Sequence, residues 1–119
     1  MKKIIIFLCF IVLSTLAFSQ TFKVTEYRNS EQSKFSKTDG TLIFNNEEIK
    51  IFSDTGKLIM DFKINSIDNS KSYEIICSGI ETILDEFMIV KITYNKTSRT
   101  FDWTIIYIEG YAIFKTINI

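Results

Sequence analysis

The sequence predicts an all-β fold, a single antiparallel domain of about seven or eight strands, and three features point to it. Ile, Val, Thr, Phe and Tyr are abundant in a chain that is 46% hydrophobic and 14% aromatic, and β-branched and aromatic side chains suit a pleated, half-buried surface. Short apolar runs recur between clusters of Asn, Asp, Ser and Gly. Within the runs apolar and polar residues alternate, the pattern of a sheet with one buried face.

The elements follow in order. Residues 22–28 form a first strand. Asp39-Gly40 then turns the chain into 41–45, where Leu42 and Phe44 share a face. Asn45-Asn46 leads into 48–53, with Ile49 and Ile51 on one face. Asp54-Thr55-Gly56 is a tight hairpin loop, with Gly56 available for a positive φ. In 57–64, Leu58, Met60, Phe62 and Ile64 face one way, and Asp61 and Lys63 the other. The Ser- and Asn-rich stretches 29–40 and 65–72 read as surface loops.

The second half continues with strands at 73–77, 87–94, 99–108 and 111–117. Asn95-Lys96-Thr97-Ser98 and Glu109-Gly110 are turns between them. Phe101, Trp103, Ile105 and Tyr107 fall on one face. Segment 78–86 supports two readings. Ser78-Gly79-Ile80-Glu81 fits a helix capping box, and Ile80, Ile83, Leu84 and Phe87 have helical spacing. The preferred reading is a strand over 80–84 that turns at Asp85-Glu86 and closes a hairpin with the next strand.

Short connections cannot carry parallel crossovers, so the chain reads as a meander. A small barrel, calycin-like in layout, is the first expectation, and a two-layer sandwich is the alternative. Residues 111–119 hold one charge, Lys115. Such a strand aggregates if its edge is left open, so closure, the first strand or another subunit must cover it.

Residues 1–19 read as a cleaved signal peptide. Lys2 and Lys3 are its basic start, residues 4–13 its apolar middle, and Ala17-Phe18-Ser19 its cleavage site. Cys9 lies within the apolar middle, so no lipoprotein signal is read. Residues 20–119 are then the β-domain. Loss of Lys2 and Lys3 leaves 12 basic against 14 acidic residues, a net charge of −2. The expected place is the periplasm or the exterior, with no stable membrane span after cleavage. An outer-membrane barrel is not expected, because the early strands are short and 87–92 is apolar on both faces.

Composition also limits chemistry. The chain has no His, which removes the commonest general base and metal ligand. Balanced charge is not the footprint of a nucleic-acid binder. No nucleophile elbow, dinucleotide loop, phosphate loop or Cys-x-x-Cys occurs. Glu47-Glu48 and Asp85-Glu86 are neighbours that point apart, unlike a glycosidase pair. Asp54-Thr55-Gly56 is only a fragment of a calcium loop. Neither catalytic residues, a metal site nor a cofactor is expected. Cys77, in an apolar run, reads as a small buried hydrophobe.

The aromatic residues Tyr94, Trp103, Tyr107 and Tyr111, with Phe101, are the candidate ligand-binding set. Aromatics at a barrel mouth or sheet face stack on a sugar or cover an apolar ligand, although the same alternation suits a plain core. The end of the signal segment, Ala17-Phe18-Ser19-Gln20, in an Ile-, Lys- and Asn-rich chain, resembles exported proteins of Bacteroidota-type bacteria. Glu48-Ile49-Lys50-Ile51-Phe52 before a Gly turn, then Asp85-Glu86 and a closing meander, resemble the small exported all-β domains of such organisms over most of 41–116. That resemblance implies an exported β-domain and transfers no site. The expected function is non-enzymatic binding of a small apolar or sugar-like ligand. The alternative is a protein–protein interaction module, an inhibitor or envelope-complex subunit, that uses an exposed strand edge.

Overall fold

The computed structural model describes residues 19–118. The expected signal segment 1–19, Cys9 included, lies outside the described residues except for Ser19. Eight strands follow in order: β1 (Gln20–Asn29), β2 (Ser36–Phe44), β3 (Glu48–Ser53), β4 (Leu58–Lys71), β5 (Glu74–Glu81), β6 (Glu86–Asn95), β7 (Thr100–Tyr107) and β8 (Gly110–Asn118). Each pairs antiparallel with its neighbour in sequence, and β8 returns to β1, so the sheet closes into a barrel. The barrel, not the sandwich, is the layout formed. The closing ladder runs from Phe22 opposite Asn118 to Asn29 opposite Ala112. The apolar last strand is thus covered by the first strand.

Closing a sheet requires the strands to bend, and bulges supply the bend. Register shifts occur at Val24/Glu26 in β1, at Ile51/Phe52 in β3, and at Ile64/Ser66 and Asp68/Lys71 in β4. Gly79 of β5 lies against the bent part of β4, where an added Cβ would collide with the Lys63 carbonyl oxygen. Gly56 takes φ +85° in the β3–β4 turn, as expected.

Two loop expectations are corrected. The stretch 65–72 is not a loop, because β4 runs on to Lys71 and pairs with β5 as far as Lys71 opposite Glu74. Its polar side chains stand on a solvated face, while its backbone satisfies the ladder, which composition does not report. Likewise 29–40 is a loop only over its middle, since β1 reaches Asn29 and β2 begins at Ser36. Segment 78–86 forms neither the helix nor a separate strand at 80–84. The strand expected at 73–77 continues to Glu81, and residues 82–85 make the turn. Ser78 lies mid-strand opposite Ile89, so it caps nothing.

Alternation sorts the side chains as expected. Phe101, Trp103 and Ile105 face inward and are buried, and so are Met60 and Phe62. Trp103 is fully buried, with ring centroids 5.3 Å from Phe22 and 5.5 Å from Phe44, both edge-on. Its indole Nε1 donates to Thr116 Oγ1 at 2.8 Å, and Thr116 Oγ1 donates to the Phe101 carbonyl at 3.1 Å. The one polar atom of the indole therefore finds a partner inside the core. Outward positions hold charges, among them Lys50 paired with Glu48, Lys91 with Glu74, and Lys115 with Asp102 at 3.1 Å. Outward apolar side chains share that wall, among them Phe87, Ile106 and Ile117, each 40% or more exposed.

Two outcomes are expected. Gly79→Ala forces β4 and β5 apart and lowers stability by about 1–3 kcal/mol, read from the urea midpoint. Glu48 is held below its usual 4.5 chiefly by its hydrogen bond to Lys63, against a smaller opposing effect of burial. A carboxylate depressed in the fold stabilises above its unfolded value, and that stability is lost as pH falls through the folded value. Urea midpoints of wild type and Glu48→Gln should therefore differ at neutral pH and converge as the solution is acidified below 4.5.

Candidate functional site

An up-and-down barrel puts its connections at alternate ends. The loops at 30–35, 54–57, 82–85 and 108–109 gather at one end, and those at 45–47, 72–73 and 96–99 gather at the other. The second end is filled by Phe22, Phe44, Phe101 and Trp103, all buried and in edge-on ring contact. Toward the first end an inward position of β8 shrinks to Ala112. Small residues leave room where large ones would close it. The result is an open apolar mouth.

The mouth contains a cavity of about 230 Å³. Its walls are Tyr27, Ile59, Met60, Met88, Ile105, Tyr107, Ala112 and Phe114, with Leu84 on the rim. Tyr27 and Phe114 face each other across β1 and β8, ring centroids 4.9 Å apart and tilted by 45°. The one charged wall residue is Glu81, only 2% exposed. Its carboxylate accepts the Asp61 N–H at 2.8 Å and the Leu84 N–H at 2.7 Å, which ties the 82–85 turn to β4. Burial raises the Tyr107 hydroxyl above its usual 10.0, and the nearby Tyr27, Glu31, Glu109 and Glu86 add to the effect. Tyr107 thus remains a hydrogen-bond donor throughout the neutral range.

A second cleft of about 550 Å³ adjoins the cavity and shares Tyr27, Ile59 and Phe114 with it. It opens because β2 outruns β3. The β2–β3 ladder ends at Gly40 opposite Ser53, while β2 begins at Ser36. Ser36 and Lys37 pair toward β1, and the stretch 36–39 has no partner on β3 and opens toward this cleft, where Lys37, Asp39 and Asp54 stand.

The four aromatic candidates are not brought together. Tyr107 lines the cavity. Trp103 is sealed in the core. Tyr94 lies at the filled end, its ring 5.1 Å from Phe101. Tyr111 is on the outer wall, where Arg28 donates to its hydroxyl at 3.0 Å and lies 5.3 Å over its ring. The residues that complete the mouth are Tyr27, Met60, Met88 and Phe114. Alternation shows Met60 and Met88 as inward residues, yet not which end they face. Tyr27 is masked further. Counting by twos from Phe22 and Val24 puts Glu26 inside, but the bulge after Val24 reverses the count and turns Tyr27 inward.

Among the described residues, no group of three or more His, Cys, Asp or Glu side chains is placed to hold a metal ion. No protein-family model, curated protein or solved structure matches the chain.

Cys77 is fully buried, and burial pushes its thiol up to about 12. Only a thiolate attacks a disulfide. A disulfide reagent at neutral pH should leave the native protein unlabelled and modify Cys77 at once in denaturant. Fast labelling of the native state would mean that β5 opens readily.

Proposed function

We propose that the protein is an exported, non-enzymatic binding domain that takes a small apolar ligand into the mouth of its barrel. The cavity between Tyr27, Met88, Tyr107 and Phe114 supports this reading. It is concave, continuous with the core, and lined by apolar and aromatic groups with few polar ones, as ligand sites are. An apolar ligand fits better than a sugar, because Glu81 has both carboxylate oxygens engaged by backbone N–H groups. Two methionines in the wall let it adapt to ligand shape. The signal-like segment supports export to the periplasm or exterior, and the packed apolar core, unlike the polar lumen of a membrane barrel, supports a barrel that does not span a membrane.

A second reading has its own observation. The open edge at 36–39 suits a partner that adds a strand, so the protein would act as an inhibitor or envelope-complex subunit. The four residues offer a short edge, and Lys37 and Asp39 on it are the kind of charges that guard edges against pairing. The cavity reading is therefore preferred.

Titration with N-phenyl-1-naphthylamine, a neutral probe that fluoresces in apolar sites, tests the choice. Saturable binding to one site is expected. Ala112→Phe, and separately Met88→Trp, should weaken it about tenfold or more by filling the cavity, with a cooperative urea transition showing that each variant folds. Absence of saturation, or binding that both folded variants retain, would overturn the cavity reading and favour the edge.

A further inference from the structure

Building on the cavity reading, we infer that the ligand is an organic cation, an amine or quaternary ammonium group on a short apolar chain. Three rings meet at the mouth. Tyr27 and Phe114 stand 4.9 Å apart, and Tyr107 joins them in the same wall. Aromatic faces attract a cation through their quadrupole, most strongly where it is partly desolvated.

Charge points the same way. Glu81 is the only ionisable acid or base in the cavity wall apart from the two tyrosines. The loops around the mouth add Glu31, Asp54, Asp85 and Glu109 against Lys34 and Lys57. At the opposite end the loops hold Glu47 against Lys96 and Arg99. The mouth is thus the negative end of a domain whose net charge is small. Arg28 is not in the cavity wall: its guanidinium lies on the outer wall, where it donates to the Tyr111 hydroxyl at 3.0 Å and to the Gln32 carbonyl at 2.7 Å. Lys37 stands in the side cleft and not in the cavity. A carboxylate ligand would shed water without gaining a cation partner and would meet like charge. An ammonium group keeps part of its hydration at the rim while its chain enters. The cavity of about 230 Å³ has room for about seven or eight water-sized groups at ~30 Å³ each, so a chain of about eight carbons suits it.

Three probes of one chain length separate this inference from the reading beneath it: octyltrimethylammonium, octanol and octanoate, each displacing N-phenyl-1-naphthylamine from the protein. The ammonium should displace the dye at a concentration about tenfold or more below octanoate at low ionic strength, and salt should narrow the gap. Glu31→Gln combined with Glu109→Gln should weaken ammonium binding several-fold and leave octanol unchanged, because only the cation feels the rim. If octanol binds and octanoate equals or exceeds the ammonium, the cation inference is overturned and the cavity reading stands. If none of the three displaces the dye, the cavity reading falls and the cation inference falls with it. Ammonium selectivity that the double variant leaves intact would overturn the role assigned to the rim carboxylates.

Discussion

The pairing of β1 with β8 is the constraint on which the rest of the structure depends. Without it the chain is an open meander with two bare edges, one of them the nearly uncharged β8. With it, one face of every strand becomes an interior. Closure and core filling are coupled, because Phe22 of β1 packs edge-on against both Phe101 and Trp103 of β7. The bulge after Val24 lies on both ladders of β1, so the strand that closes the barrel also turns from one end of the interior to the other.

The interior so formed is filled unevenly. Four large aromatic side chains crowd one end, anchored by the hydrogen bond from Trp103 to Thr116. The other end presents Ala112 at an inward position and leaves the rings of Tyr27, Tyr107 and Phe114 around a space. Close packing and a cavity exclude each other locally, so this division lets one half hold the fold while the other stays available. Glu81 links the two tasks. Buried in the cavity wall, it spends its charge on the backbone of β4 and of the 82–85 turn, which holds the rim in place.

Charge follows a similar separation. On the outer wall acids and bases pair where they meet, as with Asp102, which contacts Lys115, Thr100 and Asn95. Such pairs leave little field beyond a Debye length. Around the mouth the loop carboxylates outnumber the cations, so the field gathers over the cavity and the cleft beside it. Recognition by charge would then act at the same place as recognition by shape.

Much of the fold was legible in the chain, and little of the mouth was. Alternation identified the buried faces of β4 and β7, residue by residue, because side-chain direction in a strand is local and has a period of two. Turn chemistry located Gly56 and the hairpin around it, since a positive φ is a property of one residue. The polar continuation of β4 through Lys71 escaped notice, because ladder pairing satisfies backbone groups whatever their side chains are. The aromatic candidates show the limit most clearly. Trp103 and Tyr107 were read onto one face without any sign of which end each would occupy, while Tyr94 and Tyr111 were grouped with them on residue type alone, and Tyr111 faces outward. The sequence by itself determined an antiparallel all-β domain and the inward set along most of its strands. Only the tertiary structure decided that the barrel closes, that the bulge brings Tyr27 inside, and that the cavity lies at one end. Periodicity is a local property of the chain, whereas register, bulges and closure depend on partners far away in sequence.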